Sequence, residues 1–507
     1  MQRQDEPLGE TLAPRQETAR GMDAAAGGNG RDGTARPAET DRRGGRLRAL
    51  GRDLADALRG TERDYTQGSM GRALLLLSVP MMLEMGMESV FAVVDVYFVS
   101  ALGASAVATV GLTESVMTLM YAVAMGLAMA TTALVARRIG EKQPEAAARA
   151  AVQAVLVALA VSVPFALAGV LFARDLLALM GADAWALEHG YRYTQWMMGG
   201  NAVIMLLFVI NAIFRGAGDA ATAMRVLWLA NGINVVLDPA LIFGWGPLPA
   251  MGIEGAAVAT NLGRGAGAAL QVWVLLRGAQ HIRVRAAQLR LELALMGRLV
   301  KTALGGTAQM IIATSSWIAL VRIVSEFGSE AVAGYTIAVR VFLFTLLPSW
   351  GLANAAATLV GQNLGAGQPA RAERSVWITG WVNMALLAAV SVAYIVFDEA
   401  LVRLFTDEPG VVAAGAECLR TMAYGYALFA WGMVMPQAFN GAGDTLTPTK
   451  INFFCFWLLE IPLAYVLAMT LGLEETGVYW SVVVGESAAA LVGVWLFRRG
   501  RWKETQI

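Results

Sequence analysis

Charge is what this sequence has least of. Only 15% of its 507 residues are Asp, Glu, Lys or Arg, against 57% apolar residues, whereas a soluble globular chain carries about a quarter charged residues. Histidine and cysteine are scarcer still. The two histidines, His189 and His281, have no partner at ligand spacing, and a zinc site needs a set of such ligands, which argues against a metalloenzyme. The two cysteines, Cys418 and Cys455, lie in apolar segments and read as core residues rather than as a disulfide or a metal clip. A net charge of zero gives no global argument for nucleic-acid binding. No GxxxxGK[ST] loop occurs, so ATP-driven pumping has no support. No catalytic constellation is visible, and enzyme activity is not expected.

What is present is apolar sequence in long runs. Between Leu74 and Leu496 the charges sit mainly in short clusters, and the runs between them exceed the roughly 20 residues that cross a bilayer. The runs predict helices near 74–99, 105–136, 148–173, 191–214, 222–243 and 252–276, then 299–325, 331–361, 376–397, 411–439, 449–471 and 477–497. The expected class is an all-α membrane protein of about twelve transmembrane helices. Alternate connectors carry the basic residues: Arg137, Arg138, Lys142 and Arg149, then Arg215 and Arg225, then Arg277 to Lys301, then Arg371 and Arg374, then Lys450, then Arg498 to Lys503. Basic connectors mark the cytoplasmic face, so both termini are expected there.

Residues 1–68 differ. They are rich in Gly, Ala, Arg and Asp and poor in large apolar residues, and such a segment cannot bury enough surface to fold alone. It lacks the apolar core of a signal peptide. A disordered cytoplasmic tail is expected, with a basic helix on the membrane surface over Arg46 to Arg59 as the alternative. The remaining divisions are an N-terminal lobe at 69–285, a C-terminal lobe at 286–498 and a cytoplasmic tail at 499–507.

The lobes are copies. "RGAGDAAT" near 216 returns as "NGAGDTLT" near 441, an offset of 225 residues. The same offset links "LGASAVATVG" from Leu102 to "FGSEAVAGYT" from Phe327, and pairs Gly140 with Gly365 and Pro144 with Pro369. Six spans per copy make parallel repeats, a design in which two bundles rock around a shared cavity.

Acids within the hydrocarbon zone are costly and mark function. The first span holds Glu84, Glu88 and Asp95; at about 100° per residue their spacing puts all three on one helix face. The fifth span reads "NGINVVLDPALIFG". Asn234 and Asp238 share a face, and Pro239 frees the carbonyl of Val235, which composes an oxygen site for Na⁺ or a protonated water. A kink with a buried hydrogen bond is the plainer alternative. A carboxylate in a low-dielectric cavity holds a proton more readily than in water, and protonation removes its hold on a cationic cargo. Pro80 either lends the first span flexibility or simply starts it. Glu460, Glu486 and Gln309 are further buried candidates, and Arg322 and Arg340 either pair with acids or snorkel.

The motifs "FAVVDVYFVSALG", "RGAGD", "NVVLDPALIFG" and "NGAGD" together resemble the multidrug and toxic compound extrusion (MATE) family, over roughly residues 70 to 500, and its DinF-like branch most. The resemblance implies a secondary antiporter of the bacterial inner membrane. Such a protein exports drug-like, cationic compounds in exchange for H⁺ or Na⁺, needs no cofactor or nucleic acid, and works as a monomer. It implies a cation site at Asp95, Asn234, Asp238 and Thr260, helix bending at Pro80, and cavity-lining positions at Tyr193 and Asn211. Glu84 and Glu88 are assigned to the same cavity but fall outside the family pattern. The other major bacterial branch has acids in the seventh and tenth spans; here Ala313 and Phe429 or nearby apolar residues stand there, which argues against a C-lobe Na⁺ site. A lipid-linked precursor flippase of the same superfamily is the alternative function; a non-transporting scaffold would have no need of buried acids.

Overall fold

A computed structural model describes residues 51–60, 64–278 and 282–507. Backbone polar groups in lipid have no water to bond, so long apolar runs close their hydrogen bonds within helices. Twelve long helices follow in the order the apolar runs predict. The N-terminal half holds α1 (Met70–Ser100), α2 (Ala104–Gly140), α3 (Pro144–Leu179), α4 (Ala186–Ala217), α5 (Ala220–Phe243) and α6 (Ile253–Arg277). The C-terminal half holds α7 (Leu293–Val324), α8 (Ser329–Gly365), α9 (Pro369–Arg403), α10 (Pro409–Ala442), α11 (Leu446–Thr470) and α12 (Glu474–Arg498). Ten are long and apolar enough to cross a membrane; α6 and α10 have the length, 25 and 34 residues, with more polar positions. On α6 the polar Thr260, Arg264 and Gln271 are buried, so its polarity faces inward.

The repeat is visible in backbone detail. Both "GAGD" motifs stop one helix and start the next. Gly218 and Gly443 take left-handed φ of 90° and 89° after α4 and α10. Asp219 Oδ1 then accepts the N–H of Thr222 at 3.1 Å, and Asp444 Oδ1 that of Thr447 at 3.0 Å, the capping that exposed helix N-termini need. Kinks recur at Phe172 in α3 and Phe397 in α9, with φ of −123° and −120°. Gly140 and Gly365 meet the opposite half in mirror fashion. A Cβ on Gly140 would stand 2.0 Å from the Gln362 carbonyl oxygen, and one on Gly365 2.2 Å from that of Arg137. Only glycine permits α2 and α8 to cross this closely.

That crossing lies at the basic end of the helices, and further contacts between halves run from there to mid-helix. Met81 of α1 meets Gly351 of α8, and Gly126 of α2 meets Ala303 and Thr307 of α7. Leu74, Leu77 and Met81 share a core with Leu352, Ala355 and Leu359. Toward the opposite end Glu114 of α2 and Arg340 of α8 are both exposed and interact only at a distance. The molecule is therefore shut at its basic end. At that opposite end, between α3 and α4, Asp183 accepts the N–H of Ala186 at 2.7 Å and the hydroxyl of Ser105 at 2.8 Å. These bonds hold its carboxyl below the usual range.

Two expected tails are partly structured instead. Residues 51–59 are helical, and Ala57, Tyr65 and Thr66 are buried. Arg371 donates to the carbonyls of Tyr65, Gln67 and Gly68 at 3.3, 2.9 and 2.9 Å, and Asp64 pairs with Lys142 at 2.6 Å. Apolar Ala57 and Tyr65 supply the contacts that the average composition of 1–68 concealed. Residues 1–50, including Arg46, and 61–63 lie outside the described residues. At the other end Trp502 is 1% exposed, stacks on Phe497 and donates to its carbonyl at 2.9 Å, while Lys503 pairs with Glu373 at 2.6 Å. The 285/286 division falls in the α6–α7 connector, of which residues 279–281 are not described.

Candidate ion and cargo sites

The interior of the N-terminal half is built where α1, α5 and α6 meet. α5 and α6 touch closely because residue 263 is glycine: a Cβ there would stand 2.7 Å from the Ala230 carbonyl oxygen. This approach brings Thr260 of α6 to Asn234 of α5. Asn234 Nδ2 donates to Thr260 Oγ1 at 3.1 Å and to Asp238 Oδ1 at 3.2 Å. Three of the four expected ion-site residues thus form one connected group, with Asp238 fully buried.

The acceptors of this group are only half used. Asn234 Oδ1 and Asp238 Oδ2 are buried and have no hydrogen-bond partner. An unpaired polar atom in such a place costs free energy, so two orphaned oxygens on a hydrogen-bonded pair of side chains fit a cation or a proton. Asp95, 9% exposed, makes no hydrogen bond or ion pair among the described residues but lies within Coulombic range of Asp238, Glu114 and Arg264. Tyr193, 3% exposed, lies within the same range of both aspartates.

Glu84 and Glu88, expected on a face turned to a cavity or to partners, both meet partners. Glu84, 1% exposed, accepts from Arg215 Nη1 at 2.8 Å and from Asn211 Nδ2 at 3.2 Å, and Gln271 in turn donates to Asn211 Oδ1 at 2.6 Å. Asn211 is therefore a buried link in this network. Glu88 accepts from Arg264 Nη2 at 3.1 Å and Asn231 Nδ2 at 3.2 Å. Both glutamates are neutralised by arginine. The sequence reading missed Arg264 altogether and took Arg215 for a connector residue; the available signal was that a charge in mid-span needs a partner. Pro80 is buried in the third turn of α1, which runs unbroken from Met70, so it does not start the helix. It deprives the Leu76 carbonyl of its helical donor.

In the C-terminal half Arg322 pairs with Glu326 at an exposed helix end. Gln309 and Glu486 line a cavity of about 220 Å³, and Glu460 is buried nearby at 2% exposure. Ala313 and Phe429 line the same cavity.

The family model described as MatE matches twice, over residues 80–240 and 307–466, once in each half. The probable multidrug resistance protein YoeA of Bacillus subtilis (strain 168) is 26% identical over 444 residues, which are 87% of this chain and 96% of that protein. The probable multidrug resistance protein NorM of Thermotoga maritima is 26% identical over 86% of this chain and 94% of its own length. Among solved structures, the outward-facing conformation of a multidrug resistance MATE family transporter of the MOP superfamily has a TM-score of 0.81 and 26% identity, and the match covers 87% of this chain and 98% of that one.

Proposed function

Since the chain belongs to the MatE family of multi-pass membrane transporters and is not an enzyme, we propose that it is a secondary antiporter exporting small organic cations in exchange for H⁺ or Na⁺. The observation that carries this reading is the pair of orphaned oxygens on Asn234 and Asp238 beside the unpaired Asp95. The ion is held by Asp95, Asn234, Asp238 and Thr260, the last through its hydroxyl oxygen. Arrival of a proton or Na⁺ removes one unit of the charge that two neighbouring carboxylates impose on a dry interior. The helices α1 and α5, each with a proline that leaves one carbonyl unbonded, then repack around the neutralised group. The arginine-paired Glu84 and Glu88 link α1 to α4, α5 and α6.

The protein sits as a monomer in a bacterial inner membrane with its basic end and both termini in the cytoplasm. In that orientation the closed end faces the cytoplasm and the cargo leaves from the opposite side. A flippase reading is less favoured, because YoeA and NorM are named for multidrug resistance. The test is transport in proteoliposomes with pH and Na⁺ gradients imposed separately. At least one gradient is expected to drive cargo uphill; movement that only ever equilibrates it, under either gradient, sinks the antiport reading.

A further inference from the structure

Two acids of the C-terminal half, Glu460 and Glu486, lack the arginine partner that Glu84 and Glu88 have. Glu84 and Glu88 each have an arginine at 2.8 and 3.1 Å. Glu460 and Glu486 make no hydrogen bond or ion pair among the described residues, and they interact electrostatically with each other. Glu460 lies against Gly485, where a Cβ would stand 2.6 Å from its Oε2. Glu486 Oε2 would lie 3.6 Å from a Cβ on Gly432, in the wall of the C-terminal cavity.

That cavity has the chemistry of a receptor. Its walls include Trp317, Phe342, Trp350 and Phe456, and no Lys or Arg among the described residues lines it. Gln309, 6% exposed, also lines it, and its Oε1 is buried with no partner. Phe456 and Glu460 both belong to a π-helical stretch, Phe453–Glu460, a wide turn often found at functional sites. Leu347, Trp350 and Gln437 are shared with a smaller cavity between the halves, which reaches Arg215 and Met85. The two cavities therefore share part of their walls.

We propose that this cavity is the cargo site and that Glu486 binds the positive charge of a small aromatic monocation. The rings of Trp317, Phe342 and Phe456 face the cargo's apolar part, and cation–π attraction adds to the carboxylate's pull. Gln309 Oε1 accepts from any N–H the cargo carries. The ion and the cargo then occupy different halves, and their exchange runs through the packing between halves rather than through competition for one carboxylate. This deepens the transport reading and rests on it for the role of cargo; the binding site itself is tested without transport.

The test is calorimetric titration of the purified full chain with benzyltrimethylammonium, whose charge is permanent. Wild type is expected to bind it, and Glu486→Gln at least about tenfold more weakly, the loss typical of a charged partner. Glu486→Asp keeps most of the binding, and benzenesulfonate, the same ring with the opposite charge, does not bind. Should the Gln variant not fold, Phe456→Ala probes the same cavity and is expected to weaken binding several-fold. Undiminished binding by Glu486→Gln or by Phe456→Ala overturns the proposal, as does equal binding of benzenesulfonate or no binding by wild type. Intact binding without gradient-driven transport would leave this site standing and remove the antiport reading instead.

Discussion

Asp238→Asn abolishes ion-driven export and leaves the protein folded: that is the expected result with the largest functional effect. Asp238 is fully buried, and its one hydrogen bond comes from Asn234. Asparagine has the same shape and can still accept that bond, so packing in α5 is preserved. What disappears is the charge that draws a cation to the orphaned Oδ2. The interaction of an ion with a buried carboxylate is worth at least the 1.5–3 kcal/mol of a charge-assisted bond, so ion affinity is expected to fall by roughly 10- to 100-fold. Asp95→Asn is expected to act in the same direction, because Asp95 shares the electrostatic environment of Asp238 without sharing its hydrogen bonds. Gradient-driven uptake into proteoliposomes reads both. Wild-type coupling in the Asp238→Asn protein would remove the ion from this site.

Arg215→Met carries the largest expected stability effect. Arg215 and Glu84 form a pair whose side chains are 12% and 2% exposed. Removing the arginine leaves Glu84 with a single amide donor, Asn211 Nδ2, for a buried charge. Breaking one partner of a buried pair costs about 3–5 kcal/mol, whereas replacing both by apolar groups of similar volume is close to neutral. Arg215→Met is therefore expected to lower the melting temperature sharply in detergent, and Arg215→Met combined with Glu84→Leu to recover most of the loss. An Arg215→Met protein that melts like wild type would show that Glu84 does not depend on this arginine.

Much of the architecture was legible in the sequence because lipid imposes a coarse grammar. Apolar runs gave twelve helices, and the 225-residue offset gave two related halves. The helix ends were harder to read. α2 reaches Gly140 and α8 reaches Gly365, beyond the apolar runs, because the last turns are held by the crossing at the basic end and not by lipid. Spacing within α5 correctly grouped Asn234 with Asp238, since residues four apart share a face whatever lies around them. The link from Asn234 to Thr260 of α6 rested on family resemblance and not on spacing. The arginine partners of Glu84 and Glu88 come from α4 and α6, and no local pattern on α1 announces them. The C-terminal cavity was equally hidden: its wall joins Gln309, Phe342, Phe456 and Glu486 from four helices. The "GAGD" motifs served as markers of kinship, while their physical work is to end one helix and cap the next.

The account stands on one claim: the state that holds the coupling ion in the N-terminal half and the state that holds cargo exclude each other. Ion release from purified wild-type protein on addition of benzyltrimethylammonium tests it most directly, with protons followed by a pH indicator in weak buffer and Na⁺ by a radioactive tracer. The account predicts release of one of the two ions from wild type, and none from Asp238→Asn. Cargo that binds wild type while displacing neither ion would contradict it.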